Sequence, residues 1–274
     1  MENTLLPLSI IKISGQDAQT FLQGQLTQDM ATLNREWNFA AQCNPQGRVI
    51  AFFIVFKWED NFYVLIDDEN LQQTIDQLKK YVMRSDVHFE PLELNSYFIA
   101  SGQTKQEDTQ NHNSRLVESD NESFKLHYNE GYLIVTNKQP ENVEDINEWK
   151  LANIENSVPS LKGKALGQFT PEAISLDILG AVSFTKGCYT GQEIVARMHY
   201  LGKAKKRLFK AKLKGNLETI EAGDKISDSE GKTIGNLVDF EKSGNCLISI
   251  KTSLNTELAK NKSYIQAVNG ELML

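Results

Sequence analysis

The hydrophobic positions of the first half of the chain recur with two different periods, which predict short strands and short helices. Alternating apolar residues predict strands, and the turn Asn44–Gly47 between two of them contains Pro45 and Gly47, residues that favour a hairpin. Residues 70–83 instead place apolar side chains at helical spacing and predict an amphipathic helix packed on a sheet. The predicted strands of this half are residues 8–13, 37–43, 49–58 and 62–66.

The second half begins with a polar stretch, residues 101–123, that predicts a flexible loop or a loose hairpin. Two strands follow around a turn at residues 129–131, and Pro140 predicts a helix that runs to Lys150. The order of elements predicts an α+β fold with two ferredoxin-like subdomains, followed by a small C-terminal β-barrel. The predicted barrel strands are residues 207–213, 233–240, 246–250 and 264–268.

A cysteine at position 188 directly precedes a predicted helix. Thr190 and Glu193 have the spacing of a capping box, so the helix is expected to begin near Gly191 and to end at Gly202. A free cysteine is usually a small buried residue. Two glycines within five residues of Cys188, followed by polar side chains, favour an accessible loop instead.

The surroundings of Cys188 favour the thiolate form. Lys186 lies two positions earlier, Arg197 lies on the predicted helix, and the N-terminal end of that helix is positive. A free thiol has a pKa of about 8.5, and such surroundings lower it. Cys188 is therefore a candidate nucleophile, with Lys186 as its electrostatic support.

Composition is that of an ordinary globular chain of 274 residues, with 40% hydrophobic and 24% charged residues and a net charge of −7. Three widely spaced cysteines predict a reducing cytoplasm, and no apolar run is long enough for a membrane anchor. Residues 186–215 carry nine basic residues and one acidic residue. They create a local positive field that attracts an anion such as a folate tail or an RNA backbone. The four histidines are scattered, so no metal site is predicted.

Four blocks of sequence resemble the YgfZ family, the bacterial folate-binding relatives of the glycine-cleavage T-protein. The segment Lys186-Gly-Cys-Tyr-Thr-Gly-Gln-Glu193, with Arg197 after it, is similar to the family's K-G-C-Y-x-G-Q-E signature. The other three blocks are residues 15–29, 43–48 and 149–159. The family's second folate-contacting tryptophan is matched by Leu8.

The resemblance implies a T-protein-like arrangement of three domains around a folate site. The first domain would comprise residues 1–45 and 142–200, the inserted α+β domain residues 46–141, and the barrel residues 203–274. Cys188 and Lys186 would be the catalytic pair, and the cofactor would be tetrahydrofolate or a derivative. The implied folate-binding residues are Gln25, Trp149, Tyr189, Gln192, Glu193 and Arg197.

The implied function is maintenance of iron–sulfur enzymes, and through them tRNA modification, with transient partners among those enzymes. No aspartate stands in residues 149–157, where the one-carbon transferases of this fold carry theirs, so an aminomethyltransferase, and more generally a classical turnover enzyme, is not expected. Two alternatives stay open: a folate-dependent one-carbon transferase, and a tRNA-binding accessory protein. Direct contact with nucleic acid is left open.

Overall fold

The structure is a computed structural model in which helices and strands mix as an α+β fold. It describes residues 5–100, 115–120, 123–129, 131–202, 204–215, 217–227, 231–254, 265–267 and 270–273. Backbone contacts divide the chain into two compact units, each assembled from separate segments. The first unit contains residues 1–40, 52–149 and 185–189, and the second contains residues 41–51, 150–184 and 190–274.

A five-stranded antiparallel sheet in the order β2-β3-β4-β1-β5 begins the first unit. Its strands are β1 (Leu8–Ser14), β2 (Trp37–Cys43), β3 (Val49–Trp58), β4 (Asn61–Asp67) and β5 (His88–Leu92). The tip of the β2–β3 hairpin, residues 41–51, belongs to the second unit. The accompanying helices are α1 (Ala18–Gln25) and α2 (Leu71–Lys79), and α2 buries Ile75 and Leu78 at helical spacing.

A second antiparallel sheet of the first unit has the order β6-β9-β8-β7. Its strands are β6 (Asn95–Ala100), β7 (Val117–Ser119), β8 (Ser123–Tyr128) and β9 (Gly131–Thr136). The predicted flexible loop at residues 101–123 lies largely outside the described residues, although residues 117–119 form β7. The next helix, α3 (Ile146–Glu155), begins later than the sequence pattern predicts.

The second unit contains the last helix, α4 (Gln192–Leu201), and a closed barrel in the order β10-β13-β12-β11-β14-β15. The barrel strands are β10 (Lys206–Gly215), β11 (Lys225–Ser227), β12 (Thr233–Phe240), β13 (Asn245–Lys251), β14 (Ile265–Ala267) and β15 (Gly270–Met273). Alternate residues of β10 and β13 fill its core, because successive side chains of a strand point to opposite faces. Buried members of this core include Leu213, Ile226, Leu237, Cys246, Ile248 and Ile250.

The three-domain division expected from the resemblance stays a prediction. Among the described residues no helix is long and apolar enough to cross a bilayer.

Candidate functional site

The loop that carries Cys188 is held on both sides by buried side chains. Lys186 and Tyr189 are each 7% exposed, whereas Gly187 and Cys188 between them are exposed. The other two cysteines, Cys43 and Cys246, are buried, and burial raises the pKa of each of their thiols to about 12. Of the three thiols in the chain, Cys188 is therefore the one that solvent and partners reach.

Lys186 fixes this loop to the C-terminal end of α1. Its ammonium donates three hydrogen bonds to backbone carbonyls of that region, at 2.7 Å to Gln23, 2.7 Å to Leu26 and 2.8 Å to Gln28. The Gln23 and Leu26 carbonyls lie at the negative C-terminal end of the helix, where a cation is favoured. Burial lowers the pKa of Lys186 to about 8, while Asp29 and the three carbonyl acceptors favour the charged form.

The three hydrogen bonds give Lys186 a structural role that the sequence does not predict. The sequence predicts an ammonium that supports the Cys188 thiolate, but the protons of this ammonium point at main-chain oxygens. The Nζ atom also lies 5.2 Å from the centroid of the Tyr189 ring. Lys186 thus anchors the loop, and its effect on the chemistry of Cys188 stays a prediction.

The predicted capping box at the start of α4 is wrong. Gly191 is the N-cap residue, it has a φ of 82°, and no side chain caps the helix. A Cβ atom at this position would lie 2.5 Å from the Asn44 carbonyl oxygen and 3.1 Å from the Cys43 Cβ. Glycine is required because the hairpin turn packs directly against this backbone, and because its left-handed conformation disfavours other residues.

The predicted folate contacts on α4 lie in the second unit, whereas Cys188, Lys186 and Tyr189 lie in the first. Gln192 is half-buried, and Glu193 and Arg197 are exposed. No ion pair joins Glu193 to Arg197 in the described structure, although their spacing favours one. Their contact with folate stays a prediction.

Gln25 and Trp149, both in the first unit, have contrasting environments. The side-chain oxygen of Gln25, at the end of α1, is buried and accepts no hydrogen bond from the residues that the structure describes. Trp149 is 7% exposed, and its ring packs against Phe98 at 5.3 Å and Tyr128 at 4.8 Å between centroids. The oxygen of Gln25 is thus an unused acceptor, whereas the Trp149 ring is mostly covered by other aromatic rings.

One buried acid, Glu172, is not among the site residues predicted from the sequence. Glu172, in a 3-10 turn of the second unit, is 1% exposed, and neither carboxylate oxygen has a hydrogen-bond partner among the described residues. Burial, with a smaller contribution from the nearby Asp177 charge, raises the pKa of Glu172 to about 7, and the Arg207 charge opposes this shift. The signal in the sequence is a lone acid in the otherwise apolar and small run from Phe169 to Ile174. Within the described ranges, no three His, Cys, Asp or Glu side chains gather as a metal site requires.

The chain is similar to known proteins both in sequence and in fold. No protein-family model matches it. A tRNA-modifying protein YgfZ of Enterobacter sp. (strain 638) is 30% identical over 258 residues, which cover 83% of this chain and 78% of the relative. A protein of the same name from Blochmanniella pennsylvanica is 27% identical over 94% of this chain and 86% of the relative.

The fold is similar to that of the glycine cleavage system aminomethyltransferase T from Bartonella henselae. The TM-score is 0.68 at 14% sequence identity, over 99% of this chain and 83% of that structure. This likeness confirms the predicted α+β fold of T-protein type. The extended sequence similarity to the YgfZ proteins shows that the chain belongs to the YgfZ family.

Proposed function

We propose that this protein takes part in tRNA modification by supporting iron–sulfur enzymes, and that Cys188 is its reactive group. The relatives at 27–30% identity carry the name tRNA-modifying protein. The observation that carries the proposal is the exposed Cys188 thiol on a loop whose two ends are buried. Of the three thiols, Cys188 is the one whose exposure allows reaction with another protein.

The chemistry of an exposed thiol suits transient exchange with a partner protein. Only the thiolate attacks a disulfide or ligates a metal, so access and ionisation together determine its reactivity. With two buried thiols, the chain cannot supply the four cysteine ligands of a common iron–sulfur cluster. The role that we propose for Cys188 is therefore to act on the cluster or the cysteines of a client enzyme.

The proposed small-molecule ligand is tetrahydrofolate or a related folate. A pterin ring carries N–H groups that require acceptors, and the buried oxygen of Gln25 is an acceptor without a partner in the described part of the chain. Leaving such an atom unsatisfied costs about 1–3 kcal/mol, which a ligand donor would recover. The covered ring of Trp149 offers at most an edge to the same ligand.

Complementation tests the role of the thiol. In cells that lack the native protein, the Cys188→Ser variant is expected to lose the rescue of tRNA methylthiolation, measured by mass spectrometry of digested tRNA. Cys246→Ala is the matched control, because it removes a thiol from the barrel core without touching the loop. Full rescue by Cys188→Ser at equal protein level would refute the proposal.

Titration with tetrahydrofolate tests the ligand separately. Tryptophan fluorescence of the purified chain is expected to report saturable binding that Cys188→Ser leaves unchanged. Gln25→Leu is expected to weaken that binding about tenfold, the value of one hydrogen bond of about 1.4 kcal/mol. Equal affinity of the wild type and the Gln25→Leu variant would remove Gln25 from the ligand site.

A further inference from the structure

The second unit carries a group of cations that have no carboxylate partners in the described structure. Lys206, at the start of β10, lies directly opposite Lys251, at the end of β13, in the antiparallel register. Directly opposed side chains in such a pair have Cβ atoms about 4.5–5.5 Å apart, and like charges in these positions are destabilising. The barrel therefore tolerates a repulsive pair at this corner.

Arg48 adds a third charge to this pair. It follows the β2–β3 turn, it is exposed, and its guanidinium donates a hydrogen bond of 2.7 Å to the Gln168 carbonyl. Burial lowers the pKa of Lys206, and the positive charges of Arg48 and Lys251 lower it further. The three side chains are thus close enough to repel one another, and they are called the cationic corner below.

The cationic corner faces outward from the barrel. Phe209, Ala211 and Leu213 of β10 pack into the barrel core, as do Ile248 and Ile250 of β13. Lys206 and Lys251 have the opposite parity along their strands and point away from the core, where Lys251 is exposed and Lys206 is half-buried. Lys205 is exposed beside them, and its carbonyl accepts a hydrogen bond from the Thr252 amide.

No ion pair within 4 Å neutralises these side chains among the residues that the structure describes. Elsewhere in the same residues lysines do find acids, such as Lys164 with Glu221 at 2.5 Å. An uncompensated cluster on a chain with a net charge of −7 is a local exception to its overall charge. Such a cluster attracts a polyanion.

We propose that the cationic corner binds the phosphate backbone of RNA, so that this protein contacts tRNA directly. Lysines and arginines on an outer sheet surface suit a backbone that is itself exposed and extended, and each neutralised phosphate releases condensed counterions. The γ-glutamyl tail of a folate is the competing anion. Competition with tetra-γ-glutamate distinguishes the two anions.

The test measures binding of a fluorescently labelled tRNA to the full chain by anisotropy, between 50 and 300 mM KCl. The variant is Lys206→Gln with Lys251→Gln. The control is Lys79→Gln with Lys80→Gln at the C-terminal end of α2, which removes the same charge from the first unit. Each lost phosphate contact reduces the slope of log affinity against log salt by about 0.9. The double variant is therefore expected to lose about 2 from the slope and about 10- to 100-fold in affinity at 100 mM salt, while the control stays within about twofold.

Folding and occupant are checked in the same series. Removal of an opposed like-charge pair is expected to leave the melting temperature unchanged or to raise it, so weaker binding would not reflect unfolding. Arg48→Gln, outside the barrel strands, is a second variant with an expected slope loss of about 1.

Equal affinity and slope for wild type and both variants, or no tRNA binding at 50 mM KCl, would overturn the proposal. Displacement of tRNA by tetra-γ-glutamate, added at the same concentration of negative charge, would also overturn it, because that result assigns the cationic corner to a carboxylate ligand. None of these measurements involves Cys188 or folate, so the proposed function can fail or stand independently.

Discussion

Replacement of Lys186 by methionine removes the ammonium that anchors the cysteine loop while keeping an unbranched side chain of similar length. The hydrogen bonds to Leu26 and Gln28 are buried, and the bond to Gln23 is partly buried. Each buried carbonyl left without a donor costs about 1–3 kcal/mol, so two of them give about 2–6 kcal/mol. We expect the Lys186→Met chain to lose about that much from its free energy of unfolding, a large part of the 5–15 kcal/mol typical of a folded domain.

Urea unfolding at pH 7, followed by circular dichroism, measures this loss. The control is Lys12→Met, which removes a half-buried lysine of the same unit whose ion pair with the exposed Glu90 spans 3.5 Å. A surface ion pair of this kind contributes about 0–1 kcal/mol. Lys186→Arg is expected to fall between the two, because a planar guanidinium cannot direct its protons at three convergent carbonyls as an ammonium does. A difference below about 1 kcal/mol between Lys186→Met and Lys12→Met would refute the anchoring role.

Three further predictions concern the cysteine loop and the buried acid. Iodoacetamide at pH 8 is expected to label Cys188 alone in the folded chain and three cysteines after unfolding, as counted by mass spectrometry; rapid labelling of a second site without denaturant would contradict the burial of the other two thiols. Gly191→Ala is expected to lower the melting temperature by several degrees, because its Cβ would lie 2.5 Å from a carbonyl oxygen. Gly187→Ala adds a Cβ in open space and is expected to leave the melting temperature unchanged, and equal melting temperatures of the two variants would contradict this. The folded Glu172 carboxyl keeps its proton to about pH 7, whereas the unfolded one releases it near pH 4.5, so the folded state binds more protons between these values. The free energy of unfolding therefore falls as pH rises through this window, by about 3 kcal/mol at most. Glu172→Gln is expected to flatten this dependence in unfolding titrations at pH 5 and 7.5, and identical profiles for the two chains would refute it.

The sequence predicts best where one local pattern determines the outcome. Alternating apolar residues and the turn at Pro45 and Gly47 predict β2 and β3 with the bounds that the structure has. The start of α3 was predicted too early, because Pro140 suits a first helical turn, whereas the carboxylate of Asp145 accepts the Asn147 amide at 2.6 Å and sets the true start.

Features made by distant segments were harder to predict. Thr190 has the right spacing for a cap, yet the close approach of Asn44 selects Gly191 for that position. The closeness of Lys186 and Cys188 in sequence predicts a lysine that supports the thiolate. The three acceptors of Lys186 lie about 160 residues away along the chain, and no local pattern indicates them.

The two buried neighbours of the Gly187–Cys188 tip limit how far its sulfur can travel. Only two residues separate the fixed Lys186 from the fixed Tyr189, and an extended chain gains at most about 3.3–3.6 Å per residue. The Cys188 sulfur can therefore move by at most about 7 Å while its two neighbours stay fixed. Under the proposed function, a client has to bring its own reactive atom to this spot, so we expect Cys188 to react with a protruding group and not with a recessed one.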